Sequence, residues 1–169
     1  RLRFHCQTAG SSLTAAQPMN NVVRTAYQAL AAVLGGCQSL HTNGMDEALA
    51  IPSEAAMRLA LRTQQILLEE TGVPSSIDPL GGAYLVEALT AETEREIWAY
   101  LDRIDRLGGT VGALERNFFQ QEIADSAYAY QLAKDRGGKV VVGVNKYREP
   151  EAEEPTIPLH SVDPRTESV

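Results

Sequence analysis

His5 and Gln7 stand two residues apart in the run Arg3 to Gly10, where Phe4 and Cys6 alternate with Arg3, His5 and Gln7. Residues two apart in an extended strand share a face, so an imidazole and an amide lie side by side and lead into the small turn Thr8-Ala9-Gly10-Ser11-Ser12. A second run, Gly35 to Asn43, adds Gln38 and Ser39, and the turn beyond it brings Asn43, Asp46 and Glu47. The set is rich in neutral hydrogen-bonding groups and poor in nucleophiles, which suits gripping a large polar ligand better than abstracting a proton. His5 and Gln7 read equally as satisfied interior polar groups, and Asp46 as a cap on a short helix. Glu47 reads as a catalytic base, a hydroxyl acceptor or a solvated charge. Asp46 should point away from it, so no paired-carboxylate glycosidase is indicated.

Other routes to chemistry lack their sequence supports. No GxGxxG, P-loop, HExxH or GxSxG occurs. His5 and His41 fall in strands of different units and would need Cys or carboxylate ligands beside them to hold a metal, so no metal site is expected. Cys6 and Cys37 form no CxxC pair and read as reduced, buried thiols. The turn Asp78-Pro79-Leu80-Gly81-Gly82 either lets a ligand come close or is simply tight.

The elements that must position these groups follow a β/α order. A strand ending in a polar turn precedes a helix over Pro18 to Leu34, in which Val22, Val23, Tyr27, Leu30 and Leu34 recur at helical spacing before the stop Gly35-Gly36. Cys37 to Thr42 predicts a second strand, and Pro52 to Thr71 a second helix carrying Ala56, Leu59, Ala60, Thr63, Ile66 and Leu67 along one side. A third unit is predicted to open with a short strand at Ser76 to Ile77. It continues as helix over Tyr84 to Leu89 and over Thr90 to Leu107, with Thr90 as N-cap and Ile97, Leu101, Ile104 and Leu107 as its stripe. A helical turn at Val111 to Arg116, a helix over Gln120 to Arg136 and a valine-rich strand over Lys139 to Val144 complete the chain's ordered part.

The 169 residues, 44% hydrophobic and 22% charged, have the composition of an ordinary globular domain. A net charge of −7 with no basic stripe argues against nucleic acid or an anionic membrane as partner. No apolar run reaches the roughly 18 residues of a spanning helix, and a cytoplasmic location is expected. Beyond Tyr147 the composition turns to Glu and Pro, which predicts a linker over 148–169. A strand already under way at Arg1 suggests a piece of a longer polypeptide.

The strings RFHCQTAGSSLTAAQPMNNVVRTA, GGCQSLHTNGMDEALAIP, LRTQQILLEETG, DPLGGAYLVEALT and VVVGVNKY, in this order, resemble the large subunits of the adenosylcobalamin-dependent acyl-CoA mutases. The resemblance covers Leu2 to Tyr147. It implies an α/β fold, the last β/α units of a (β/α)8 TIM barrel over 1–147, whose polar interior holds the acyl-CoA while cobalamin lies across the C-terminal mouth. His5, Gln38 and Ser39 would line the substrate channel. Gln7 and Gly10 would face the corrin, Glu47 would bind the ribose of the adenosyl group, and Ala50 would sit against the cofactor. The reaction implied is a radical carbon-skeleton rearrangement, by default of methylmalonyl-CoA to succinyl-CoA. Isobutyryl- and 2-hydroxyisobutyryl-CoA mutases, and a non-catalytic barrel fragment or assembly subunit, are the alternatives. The partners implied are the rest of the barrel and a cobalamin-binding domain or small subunit. The DxHxxG motif for the lower cobalt ligand is absent, as are the earlier strands with the substrate-carboxylate Arg, so this chain alone is not expected to turn over.

Overall fold

The alternation of polar and apolar residues at Arg3 to Gln7 becomes a short strand, β1 (His5–Gln7), which pairs in parallel with β2 (Ser39–His41). The structure, a computed structural model, describes residues 2–150 and 157–160. His5 stands opposite Ser39, Cys6 opposite Leu40 and Gln7 opposite His41, so one face carries His5, Gln7, Ser39 and His41. The other face, continued by Thr8 and Thr42, meets helix: the Thr42 hydroxyl donates to the Ala60 carbonyl at 2.8 Å.

Helix α1 (Asn20–Leu34) connects the strands, and α2 (Glu54–Glu69) follows the second. The order β-α-β-α with a parallel sheet makes this part α/β. Ser53 caps α2, its hydroxyl accepting from Ala56 N at 3.3 Å. The buried line of α2 is Ala56, Ala60, Thr63 and Leu67, four of the six residues expected along its inner side, whereas Ile66 is exposed. In α1 the buried line is Asn21, Thr25 and Ala29, not the Val23 and Tyr27 of the apolar stripe, which face outward. Small side chains at Thr25 and Ala29, and an Asn21 whose amide is fully bonded, let α1 pack closely, and that outweighs the apolar preference of the larger side chains.

The described residues divide into two units, the first comprising 2–80 with 149–150 and 157–160 and the second 81–148. The second unit is helical: α3 (Tyr84–Arg106), α4 (Gly109–Glu115) and α5 (Phe118–Asp135). Gly108 and Gly109, with φ of 95° and 75°, reverse the chain between α3 and α4. A Cβ on Gly112 would come within 2.2 Å of the Leu107 carbonyl oxygen, so only glycine fits where α4 crosses the end of α3. Tyr100 of α3 lies 5.5 Å from Phe118 of α5, centroid to centroid, and Arg103 stacks over the Phe118 ring while bonding Glu122 at 2.9 Å.

Four expectations are corrected. Thr90 caps nothing: Tyr84–Arg106 is one unbroken helix, and the Thr90 hydroxyl donates back to the Val86 carbonyl four residues earlier. No strand forms at Ser76 to Ile77, because Val73–Ser75 winds into a 3-10 turn around Pro74 and Ile77 points to solvent with no ladder neighbour. Lys139 to Val144 is not a strand either. Asn145 takes the Val141 N–H on its side-chain oxygen and donates to the Lys134 and Lys139 carbonyls, which leaves a tight turn with a single bridge between Val142 and Lys146. Cys6 and Cys37 are half-buried, not buried, because the two-stranded sheet leaves them near an open edge. Residues 148–150 and 157–160 of the expected linker carry no helix or strand, and 151–156 and 161–169 lie outside the described residues.

Candidate functional site

At the C-terminal ends of β1 and β2 two loops face each other, Thr8 to Thr14 and Thr42 to Ser53. The first holds Gly10 in a 3-10 turn, Gly10–Ser12, which α1 clasps through Gln28: its carbonyl accepts from Ala9 N at 2.6 Å and its amide donates to Ser12 Oγ at 2.7 Å. The second is fixed at its start by Asn43 N, which donates to Thr8 Oγ1 at 3.0 Å. These ties bring Gly10, Asn43 and Glu47 together. A Cβ on Gly10 would lie 2.9 Å from both Asn43 Nδ2 and Glu47 Oε1, so the missing side chain is what gives those polar atoms room.

Asn43 is 2% exposed; its Oδ1 accepts from Gln7 Nε2 at 3.4 Å, and its Nδ2 is buried without a hydrogen-bond partner. A buried amide N–H without a partner is costly; Asp46 Oδ1 and Thr25 Oγ1 are buried without a partner as well. Glu47 is half-buried near Asn43. Its neighbour Asp46 serves the scaffold instead. Asp46 is 1% exposed, its Oδ2 accepts from Ser53 N at 2.8 Å, and its backbone carbonyl takes the N–H groups of Leu49 and Ala50. It therefore braces the loop and the start of α2. Ala50, half-buried, is fixed by that bond one helical turn after Glu47.

The strands' opposite ends carry the other predicted residues. His5 Nδ1 and Ser39 Oγ are 2.6 Å apart on the exposed face. Gln38 lies just before β2, with its carbonyl accepting from Phe4 N at 2.9 Å and its amide donating to Gly36 O at 2.6 Å. Both ends of that amide are thus bonded to backbone, and Gln38 closes the entry of the sheet away from Glu47. Sequence reasoning assigned no role to Asn21, the buried residue of α1 that bonds both loops. Its signal was a pair of asparagines opening a helix, poor helix formers whose use there calls for another reason.

The Cys37 thiol is held above its ordinary value, chiefly by burial and then by the Cys6 side chain beside it, with which it shares a hydrogen bond. Among the described residues no group of three or more His, Cys, Asp or Glu is placed to hold a metal ion, and no helix is long and apolar enough to cross a membrane.

The parallel β/α pair, with a glycine, an unpartnered buried amide and a carboxylate at its strand ends, is of the α/β class. This chain belongs to the methylmalonyl-CoA mutase family, whose model matches residues 1–169. It is 57% identical over 166 residues to a 2-hydroxyisobutanoyl-CoA mutase large subunit from Aquincola tertiaricarbonis, which covers 98% of this chain and 29% of that protein. It is 52% identical over 147 residues to a methylmalonyl-CoA mutase from Cereibacter sphaeroides, covering 87% of this chain and 21% of that protein. With the Escherichia coli methylmalonyl-CoA mutase it shares 43% identity over 169 residues, 99% of this chain and 24% of that protein. The chain thus spans less than a third of the length of each of these relatives.

Proposed function

We propose that this chain forms the C-terminal part of the substrate-binding TIM barrel of an adenosylcobalamin-dependent acyl-CoA mutase, over 1–147, with 148–169 leading away from it. The meeting of Gly10, Asn43 and Glu47 at the C-terminal strand ends carries this reading. The residues fit the cofactor's polar groups: the half-buried Glu47 carboxylate is an acceptor for a ribose hydroxyl, and the unpartnered Asn43 Nδ2 close to it is a donor.

In this reading Gln7 and Gly10 face the corrin, Glu47 accepts from the ribose hydroxyls, and Ala50 packs against the cofactor. Adenosylcobalamin supplies the radical chemistry of the carbon-skeleton rearrangement when bound. The chain's own groups do the rest by position. Glu47 keeps the adenosyl group within reach of the substrate, and no proton transfer is asked of it. His5 and Ser39 offer hydrogen bonds to the acyl-CoA from the strand face turned away from the helices, a face that would line the barrel interior. Gln38 would have to release a backbone bond to join them. The remaining barrel strands and a cobalamin-binding domain or small subunit complete the enzyme, which we place in the cytoplasm.

Methylmalonyl-CoA is the default substrate. The 57% identity to a 2-hydroxyisobutanoyl-CoA mutase large subunit favours a second reading, a branched 2-hydroxyacyl-CoA. The test uses the full-length protein with its cobalamin-binding partner and adenosylcobalamin, assayed on methylmalonyl-CoA and on 2-hydroxyisobutyryl-CoA, beside the Glu47→Gln variant. Turnover of either substrate, with at least ~10-fold weaker adenosylcobalamin binding in the variant, is expected for the loss of a charge-assisted hydrogen bond. A protein that neither retains corrin nor isomerises either thioester would be a non-catalytic relative.

A further inference from the structure

Asn21 is fully buried, at 0% exposure, and every hydrogen bond its side chain can make is made. Its Oδ1 accepts from Thr14 N at 3.0 Å and from the Arg24 guanidinium at 2.7 Å, and its Nδ2 donates to Thr14 O at 2.9 Å and to Met45 O at 2.8 Å. The Arg24 bond fixes which way the amide faces, since a guanidinium can only donate. Nδ2 is thereby committed to the two carbonyls. One of them ends the loop that carries Gly10, and the other lies two residues before Glu47.

From this we infer that Asn21 is a positioning residue: it sets the Glu47 loop against the Gly10 loop and so fixes where the Glu47 carboxylate stands. The inference rests on the reading of Glu47 as acceptor for the adenosyl ribose. At their strand side the loops are tied by a further bond, from Asn43 N to Thr8 Oγ1. Between Asn43 and the Asp46 brace to Ser53, the Asn21 bond to Met45 O is what α1 contributes to the path of the backbone. Aspartate at this position keeps the size and the bond to Arg24 but turns the Met45 and Thr14 carbonyls from partners into repelling neighbours. The loop then swings, and Glu47 with it.

A purely structural role and a positioning role separate in the choice of cobalamin. The full-length protein carrying Asn21→Asp, Glu47→Gln or both is titrated with adenosylcobalamin and with hydroxocobalamin, which has the corrin but no adenosyl ribose. Asn21→Ser, which keeps a short hydroxyl near Thr14 but cannot span to Met45, serves as the second variant. We expect Asn21→Asp to weaken adenosylcobalamin binding at least ~10-fold while hydroxocobalamin changes less than ~2-fold, and to add nothing further in the Glu47→Gln background, as for two residues acting as one unit. Equal weakening of both cobalamins, additive losses in the double variant, or failure of both Asn21 variants to fold would overturn the positioning role and leave the site reading standing. If Glu47→Gln alone leaves adenosylcobalamin affinity unchanged, the site reading itself fails and this inference falls with it.

Discussion

Asp46 and Glu47 are adjacent acids, and their surroundings give them opposite duties. Asp46 is buried and bonded to Ser53 N, whereas Glu47 is half-buried with its Oε1 beside the space over Gly10. Asp46→Ala should therefore cost about 2 kcal/mol of unfolding free energy, since it orphans a buried N–H and empties a packed site, while Glu47→Ala should stay within about 0.5 kcal/mol. Urea denaturation of the two variants checks this, and the reverse order would sink the assignment. Gly10→Ala tests the other side of the site. Its new Cβ would meet a flexible carboxylate end and the Asn43 amide at 2.9 Å, so the fold should persist while adenosylcobalamin affinity drops about tenfold or more. At Cys37, burial favours the neutral thiol, so alkylation near neutrality should be slower than for an ordinary exposed cysteine, and its rate should still be climbing with pH at 9.0, the ordinary value for the group. Fast labelling at neutral pH would contradict that environment. Polar types and strand spacing singled out His5, Gln7, Gln38, Ser39, Asp46 and Glu47 as candidates, whereas Gly10 and Ala50 came only from the family resemblance. The division of labour between Asp46 and Glu47, and the bonding of Gln38 to backbone, were not legible, because burial and partners come from segments distant in sequence.

Elements with strong local signals were legible: the helices α1, α2 and α5 begin and end within a few residues of their expected bounds, since capping and glycine stops act locally. Strand expectations fared according to whether a neighbour existed. Residues 5–7 and 39–41 found each other, whereas Lys139 to Val144 found Asn145 and became a turn. β-propensity expresses fit to a neighbouring strand, and valines without one do not make a strand. The α3–α4 corner gives the sharpest element-level prediction. Gly112→Ala drives a Cβ to 2.2 Å from the Leu107 carbonyl oxygen, a backbone atom that cannot step aside. Thermal unfolding of the second unit should shift downward by several degrees, as expected for about 2 kcal/mol or more of overpacking. An unchanged midpoint would mean the corner relaxes.

The described residues leave much apolar surface uncovered. None of the residues of α3 is buried, and Val86, Leu89, Ile97, Trp98 and Leu101 line one open groove along it. Surfaces of this kind belong to larger assemblies, in keeping with a chain that spans less than a third of its relatives. Produced as these 169 residues alone, the protein should bind the dye ANS strongly, and Trp98, 61% exposed, should show red-shifted emission. Weak dye binding with blue-shifted emission would mean that the groove is covered. By itself the sequence determined the family, through motif strings spread over most of the chain, and the β/α order of the first 71 residues, through local periodicity and capping. Only the tertiary structure decided that the small polar line of Asn21, Thr25 and Ala29 faces inward, and that Gly10, Asn43 and Glu47 meet. Those outcomes depend on hydrogen bonds and close approach between segments 20 to 40 residues apart, such as Asn43 to Thr8 and Asn21 to Met45, which no local pattern encodes.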